Sequence, residues 1–296
     1  SSLLSGWSRG EAADPNAEPD DEEDHESLTA TAPDTIVERF FQPTAGDGYD
    51  HVEDVYVFNR TSKALDVAAL AASPVEFTLG PSDQPQILIM HTHGSEAYTQ
   101  DGNDVYSETD TARTTDTQYN IIRVGDEIER IFTEMGLSVL HDRTLYDYPN
   151  YNGSYERSKA AVEQYLAEYP SIKIVLDVHR DALIGEDGTV YKAVTEIDGQ
   201  KTAQVLMVLG SDDGGLSHPN WDQNLTLSMH IQHRMNTLWP GLARPITLRS
   251  SRFNQQLTTG SILVEVGSHG NTLQEALAGA RLFARSAGQV FQELCQ

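Results

Sequence analysis

The sequence predicts an α/β fold, a largely parallel central sheet with helices on both faces. Three observations carry this. Short continuous apolar runs end in polar residues, as strands buried on both faces do: Ile87-Leu88-Ile89-Met90 runs into His91-Thr92-His93, and residues 172–178 run into His179-Arg180-Asp181. Segments of helical periodicity separate these runs, which suits parallel strands joined by crossover helices. No internal repeat is present, so one domain is the economical reading.

Residues 1–45 stand apart by composition. They hold the acidic run Asp20-Asp21-Glu22-Glu23-Asp24 amid Ala, Pro and Ser, with few large apolar side chains. Such a stretch cannot offset the entropy of ordering itself and is expected to be a disordered acidic arm. Residues 46–296 form the expected domain, long enough to bury a substantial core. Its strands are expected at residues 87–90, 137–140, 172–178, 190–194, 203–209 and 261–266. Residues 120–135 predict a helix with Ile121, Val124, Ile128, Ile131 and Phe132 on one face and Gly136 closing it. Further helices are expected at 155–168, stopped by Tyr169-Pro170, at 225–238, stopped by Trp239-Pro240-Gly241, and at 272–294.

The formal charge is −25, from 45 acidic and 20 basic residues with no Lys/Arg cluster, which argues against nucleic-acid binding because phosphate contact depends on a positive surface. The one cysteine, Cys295, rules out a disulfide framework or a thiolate metal cage within the chain. Any zinc must then be held by His and carboxylates, the ligand set of catalytic sites more often than structural ones. Neither a long apolar run nor a signal-peptide pattern occurs, so the chain as given is expected to be soluble.

In parallel sheets ligands bind outside the carboxyl ends of the strands, where these histidines lie. His93 and Glu96 form His-x-x-Glu just after one strand, and His179 follows another. Three such ligands leave a fourth tetrahedral position for water, as hydrolytic zinc requires. Glu265, between Val264 and Val266 in an apolar strand, needs either a cationic partner such as Arg180 or Arg252, or a duty as general base. His91, two residues before His93, is expected on the same face, as an alternative ligand or a support. Asp177 is placed to orient His179 through its other ring nitrogen. Arg180 and Asp181 are expected at the crevice rim, Arg180 to bind a substrate carboxylate or polarise a carbonyl. Ser95 lacks a nucleophile elbow. His141, His230, His233 and His269 read as turn, helix or loop residues, and Tyr146, Tyr148, Tyr151 and Tyr155 as an aromatic surface suited to sugars and peptides or to packing.

Four blocks, His91-Thr92-His93-Gly94-Ser95-Glu96-Ala97-Tyr98, Asn120-Ile121-Ile122-Arg123-Val124-Gly125-Asp126, Asp177-Val178-His179-Arg180-Asp181-Ala182 and Leu263-Val264-Glu265-Val266-Gly267-Ser268, together resemble the stage II sporulation protein P family. The resemblance runs from about Val55 to the C-terminus and leaves out the acidic arm. It implies a zinc amidase/carboxypeptidase-like fold and a cell-wall hydrolase. The bond implied is the amide between N-acetylmuramic acid and L-alanine, with peptide cross-links a further candidate, cut during forespore engulfment. It also implies Zn2+ as cofactor, peptidoglycan as substrate, and a stage II sporulation protein D-like transglycosylase and a membrane anchor protein as partners. The location implied is extracytoplasmic and membrane-associated at the engulfing membrane, although the family's usual anchor has no counterpart in this chain. The resemblance carries His93, Glu96 and His179 over as metal ligands and Glu265 as catalytic glutamate. In related amidases the carboxylate ligand comes from the start of the first helix, where this chain offers Asp116, so Glu96 and Asp116 stand as alternatives. A zinc peptidase acting on stem peptides, or a non-catalytic wall-binding module, fits the same residues.

Overall fold

The structure, a computed structural model, describes residues 35–43, 48–99 and 112–296. The strands are β1 (Val37–Arg39), β2 (Asp50–Val52), β3 (Val55–Asn59), β4 (Ile87–Met90), β5 (Val139–His141), β6 (Ile174–Asp181), β7 (Leu183–Ile184), β8 (Val190–Ile197), β9 (Gln200–Ala203), β10 (Val205–Leu209), β11 (Ile246–Leu248) and β12 (Ser261–Ser268). The helices are α1 (Val67–Ala72), α2 (Ile121–Glu134), α3 (Ser154–Glu168), α4 (Trp221–Leu238) and α5 (Leu273–Glu293). The main sheet has the order β2-β3-β11-β10-β12-β6-β4-β5. Its neighbours are parallel except at β2/β3 and β10/β12. A largely parallel sheet is therefore what forms.

Strand alternation sends successive side chains to opposite faces. Ile87, Ile89, Ile174, Leu176, Val178 and Val264 join the large core with α2, α4 and α5. Leu88, Met90 and Val175 pack with Val162 of α3, while Leu206, Val208 and Leu263 pack with its Tyr155. Odd-numbered residues of β6 and β12 thus face α3. The helix ends follow from local chemistry. Asn120 caps α2 by accepting from the Ile122 amide, and Gly136, at φ 82°, ends it in the left-handed conformation. Thr272 and Glu275 form a reciprocal capping box on α5.

Three expectations shift. The strand read as 172–178 runs through Asp181, so His179 lies inside β6 rather than beyond it. Residues 35–43, inside the stretch read as a disordered arm, are folded: β1 pairs parallel with β8, and Ile36 is buried. The rest of that arm, residues 1–34 and 44–45, lies outside the described residues. β8 also pairs with β7 and β9, forming a second, smaller sheet.

Candidate active site

β4 stops at Met90, and residues 92–95 form a turn that is held from three sides. The Thr92 amide and hydroxyl donate to Asp177, at 2.9 and 2.6 Å. The Ser95 hydroxyl donates to the fully buried Asp147 at 2.6 Å, which gives it a structural duty. A Cβ on Gly94 would stand 2.8 Å from Leu145 Cδ2 and 3.3 Å from the Thr144 carbonyl, so a side chain there requires Leu145 to shift.

The turn separates the two histidines that strand alternation was expected to align. His91 turns toward α2: its Nδ1 is 2.8 Å from the Val178 carbonyl and its Nε2 is 2.8 Å from His141 Nε2. Burial and the neighbouring His141 push its pKa down to about 3. His93 turns toward α3, stacked on Tyr151 at 4.8 Å between centroids and edge-on to Tyr155 and to His179, the last at 5.2 Å. The Tyr151 hydroxyl lies 3.3 Å from His93 Nε2. Of the two, it is His93 that meets His179.

Glu96 arrives beside His179, its Oε1 3.7 Å from Nδ1, while its Oε2 accepts from the Arg180 amide at 3.0 Å. Asp177 Oδ1 stands 2.8 Å from His179 Nε2. His179 therefore has a carboxylate beside each ring nitrogen, and burial, which opposes its charge, is outweighed by Asp177 and Glu96, so its pKa lies well above the usual 6.5. The same exchange acts on the acids. Burial raises Asp177 and Glu96, but the facing His179 wins and holds both below their ordinary values, helped at Asp177 by Thr92 and at Glu96 by Arg180 and His93. Glu265 is the direct register partner of His179 across the parallel β6/β12 pair, so both side chains project to the α3 side. It is half-buried there.

Two expectations are corrected. Arg180 is not at a crevice rim. Alternation points it away from His179, it is 7 % exposed, and its guanidinium donates to the carbonyls of Ala97 (2.6 Å), Ala112 (3.0 Å) and Asp181 (3.4 Å). A buried guanidinium needs that many acceptors, which takes it up as a strut beneath the 96–99 segment. Asp116 is exposed, with Oδ1 accepting from the Gln118 amide and its carbonyl accepting from Tyr119 and Asn120. It is occupied in the turn before α2, and Glu96 is the carboxylate beside His179.

The donor set fits zinc in kind: two imidazoles and one carboxylate, 2 %, 3 % and 4 % exposed at His93, His179 and Glu96, with Asp177 behind the far nitrogen of His179 as metal-bound histidines commonly have. The trio is not the tightest such group. Among the described residues, Asp126, Glu129 and His141 bring ligand atoms within 4.8 Å of one another, a cluster that His141 reached without any flag in the sequence beyond a strand-end histidine. Arg113 and Tyr151 also border the site, the guanidinium 4.9 Å from the ring centroid and paired with Asp147 at 3.2 Å.

Comparisons with known proteins agree with the residue blocks. A curated relative, Stage II sporulation protein P of Bacillus subtilis (strain 168), is 26 % identical over 223 residues, which is 72 % of this chain and 51 % of that protein. The chain thus spans about half the length of the curated relative it matches. Among solved structures, the CwlD amidase from Clostridioides difficile in complex with the GerS lipoprotein superposes with a TM-score of 0.44 at 11 % identity, over 71 % of this chain and 98 % of that one. The apo form of the N-acetylmuramyl-L-alanine amidase Ami1 from Mycobacterium abscessus gives 0.42 at 12 % identity, over 71 % and 99 %. The family model described as Stage II sporulation protein P (SpoIIP) matches residues 11–287, nearly the whole chain, and the chain belongs to that family.

Proposed function

We propose that the chain is a zinc-dependent peptidoglycan hydrolase of sporulation that cleaves the amide between N-acetylmuramic acid and L-alanine. His93, Glu96 and His179 would hold the zinc, and Glu265 would act as general base. One observation carries this reading: His179, buried against His93 and Glu96, is the register partner of Glu265 on the same side of the sheet. Zinc, when bound, supplies Lewis-acid polarisation of the scissile carbonyl and of water.

The chain's own groups do the rest. Asp177, 2.8 Å from His179 Nε2, sets a negative charge behind the ring and leaves Nδ1 toward Glu96. Glu265 takes the proton from the attacking water and returns it to the departing L-alanine nitrogen, a single carboxylate serving both transfers because it stands beside the reacting carbon throughout. Tyr151 and Arg113 brace His93 from the side, the ring stacked on the imidazole and the guanidinium lying over that ring while it pairs with Asp147. A peptidoglycan substrate puts the site of action outside the cytoplasmic membrane. No helix among the described residues is long and apolar enough to cross a membrane.

Digestion of defined peptidoglycan by the full chain, read by mass spectrometry, tests the proposal. The expected products are free stem peptides beginning at L-alanine, with activity lost on chelation and in Glu265→Gln. Shortened or uncrosslinked peptides still attached to sugar would replace the amidase with a peptidase. Full turnover by Glu265→Gln, or full zinc retention by His179→Ala, would overturn the site.

A further inference from the structure

We propose that Asp126, Glu129 and His141 form a second divalent-cation site, of the zinc class, that fastens α2 to the sheet behind the face described above. Nδ1 of His141 lies 3.2 Å from a carboxylate oxygen of Asp126 and 3.2 Å from one of Glu129. Three residues apart on α2, the two acids share a helix face, and the ring reaches them from the end of β5. The His141 side chain is 2 % exposed, whereas the acids are 31 % and 39 % exposed. The nitrogen is thus presented from the interior, and the open side faces water, where an ion would enter.

The other nitrogen of the ring decides what Nδ1 can do. The Val178 carbonyl only accepts, so His91 Nδ1 donates to it. His91 Nε2 lies 2.8 Å from His141 Nε2 and anchors that ring from the interior. That leaves Nδ1 as the atom His141 presents to the two carboxylates, each 3.2 Å away. A divalent cation seated among the three groups would take the place of the proton through which Nδ1 bonds Glu129. One imidazole nitrogen with two carboxylates is a set that zinc accepts. Arg143 pairs with Asp126 from outside, but on a side chain 45 % exposed, so an incoming ion displaces it at small cost. A formal charge of −25 further concentrates cations near the surface.

The test uses the full chain, stripped of metal and then equilibrated with Zn2+, with Mg2+ as a control for charge screening. Metal content and thermal denaturation are both read. Two zinc ions per chain are expected, with one of them and the zinc-dependent rise in Tm lost in the double variant Asp126→Asn, Glu129→Gln. An unchanged zinc count and Tm response in that folded variant would overturn the site. Nitrogen-15 shifts showing both His141 ring nitrogens protonated at saturating Zn2+ would overturn it too, making His141 an imidazolium held by the acids. His179→Ala reports on the other metal site alone, so failure of one proposal is distinguishable from failure of the other.

Discussion

Replacing Arg180 with Ala separates a strut from a substrate-binding residue. The guanidinium makes two short bonds to main-chain carbonyls, those of Ala97 and Ala112, and one longer bond to that of Asp181. Hydrogen bonds from a charged donor contribute about 1.5–3 kcal/mol each, so the two short ones together are worth roughly 3–6 kcal/mol. Removing one side of a buried charged arrangement costs about 3–5 kcal/mol by independent reckoning, and the two ranges overlap. In a domain of this size 1 kcal/mol moves Tm by about 2–4 °C, so a fall of about 6–20 °C is expected. Thermal denaturation of the metal-free and zinc-equilibrated chain measures it, alongside KM on a soluble muramyl-peptide. Arg180→Lys should recover only part of the loss, because one ammonium cannot span carbonyls that a planar fork reaches. A variant with unchanged Tm and a raised KM would refute the reasoning and return Arg180 to the substrate.

Other perturbations probe the same architecture. Asp177→Asn keeps a group against Thr92 and His179 but removes the charge behind the ring, so zinc affinity should fall about 10–100-fold in a chelator competition. Gly125→Ala places a Cβ 2.5 Å from His91 Nε2 and 2.6 Å from His141 Nε2, and should cost about 1–3 kcal/mol in denaturant unfolding. Tyr151→Phe removes a hydroxyl 3.3 Å from His93 Nε2 while keeping the stack, so Tm should hold while the pH dependence of kcat/KM shifts. Without metal, the raised pKa of His179 means that its proton stabilises the fold fully below about pH 6.5, and that this is lost as pH climbs through the raised value. Asp177 and Glu96, held low, stabilise it above their unfolded values of 3.8 and 4.5 and cease to as pH falls through the lowered ones. Metal-free Tm should therefore decline toward alkaline pH while zinc affinity rises, since zinc and proton compete for one ring. A metal-free Tm that climbs from about pH 7 to about pH 10 would contradict this.

Hydrophobic runs made β4 and the core of β6 legible, and Asn120 and Gly136 marked both ends of α2. The last third of β6 was illegible because its side chains are polar. Thr92 and the His179 ring take up Asp177, main-chain carbonyls take up Arg180, and Arg244 takes up Asp181 at 2.8 Å, so burial there leaves no apolar signature. Had the strand been followed through 181, alternation alone would have turned Arg180 away from His179. The reverse error concerns His91 and His93, where alternation was assumed through a turn that Gly94 tightens. Glu265 stood out because a carboxylate in an apolar strand is costly, and the register sets it beside His179. The partnership of His141 with Asp126 and Glu129 depends on β5 lying against α2, which no local pattern announces. Strands as short as β2 and β11 carry too few residues for any periodicity to show.

The pairing of β1 with β8 governs how the molecule can be tethered. Gln204 grips Phe41 in both directions, its Oε1 accepting from the amide at 2.8 Å and its Nε2 donating to the carbonyl at 2.9 Å. The guanidinium of Arg244 lies 4.4 Å from the Phe41 ring centroid. Tension applied at Ile36 would fall first on a three-residue parallel ladder and this amide clasp.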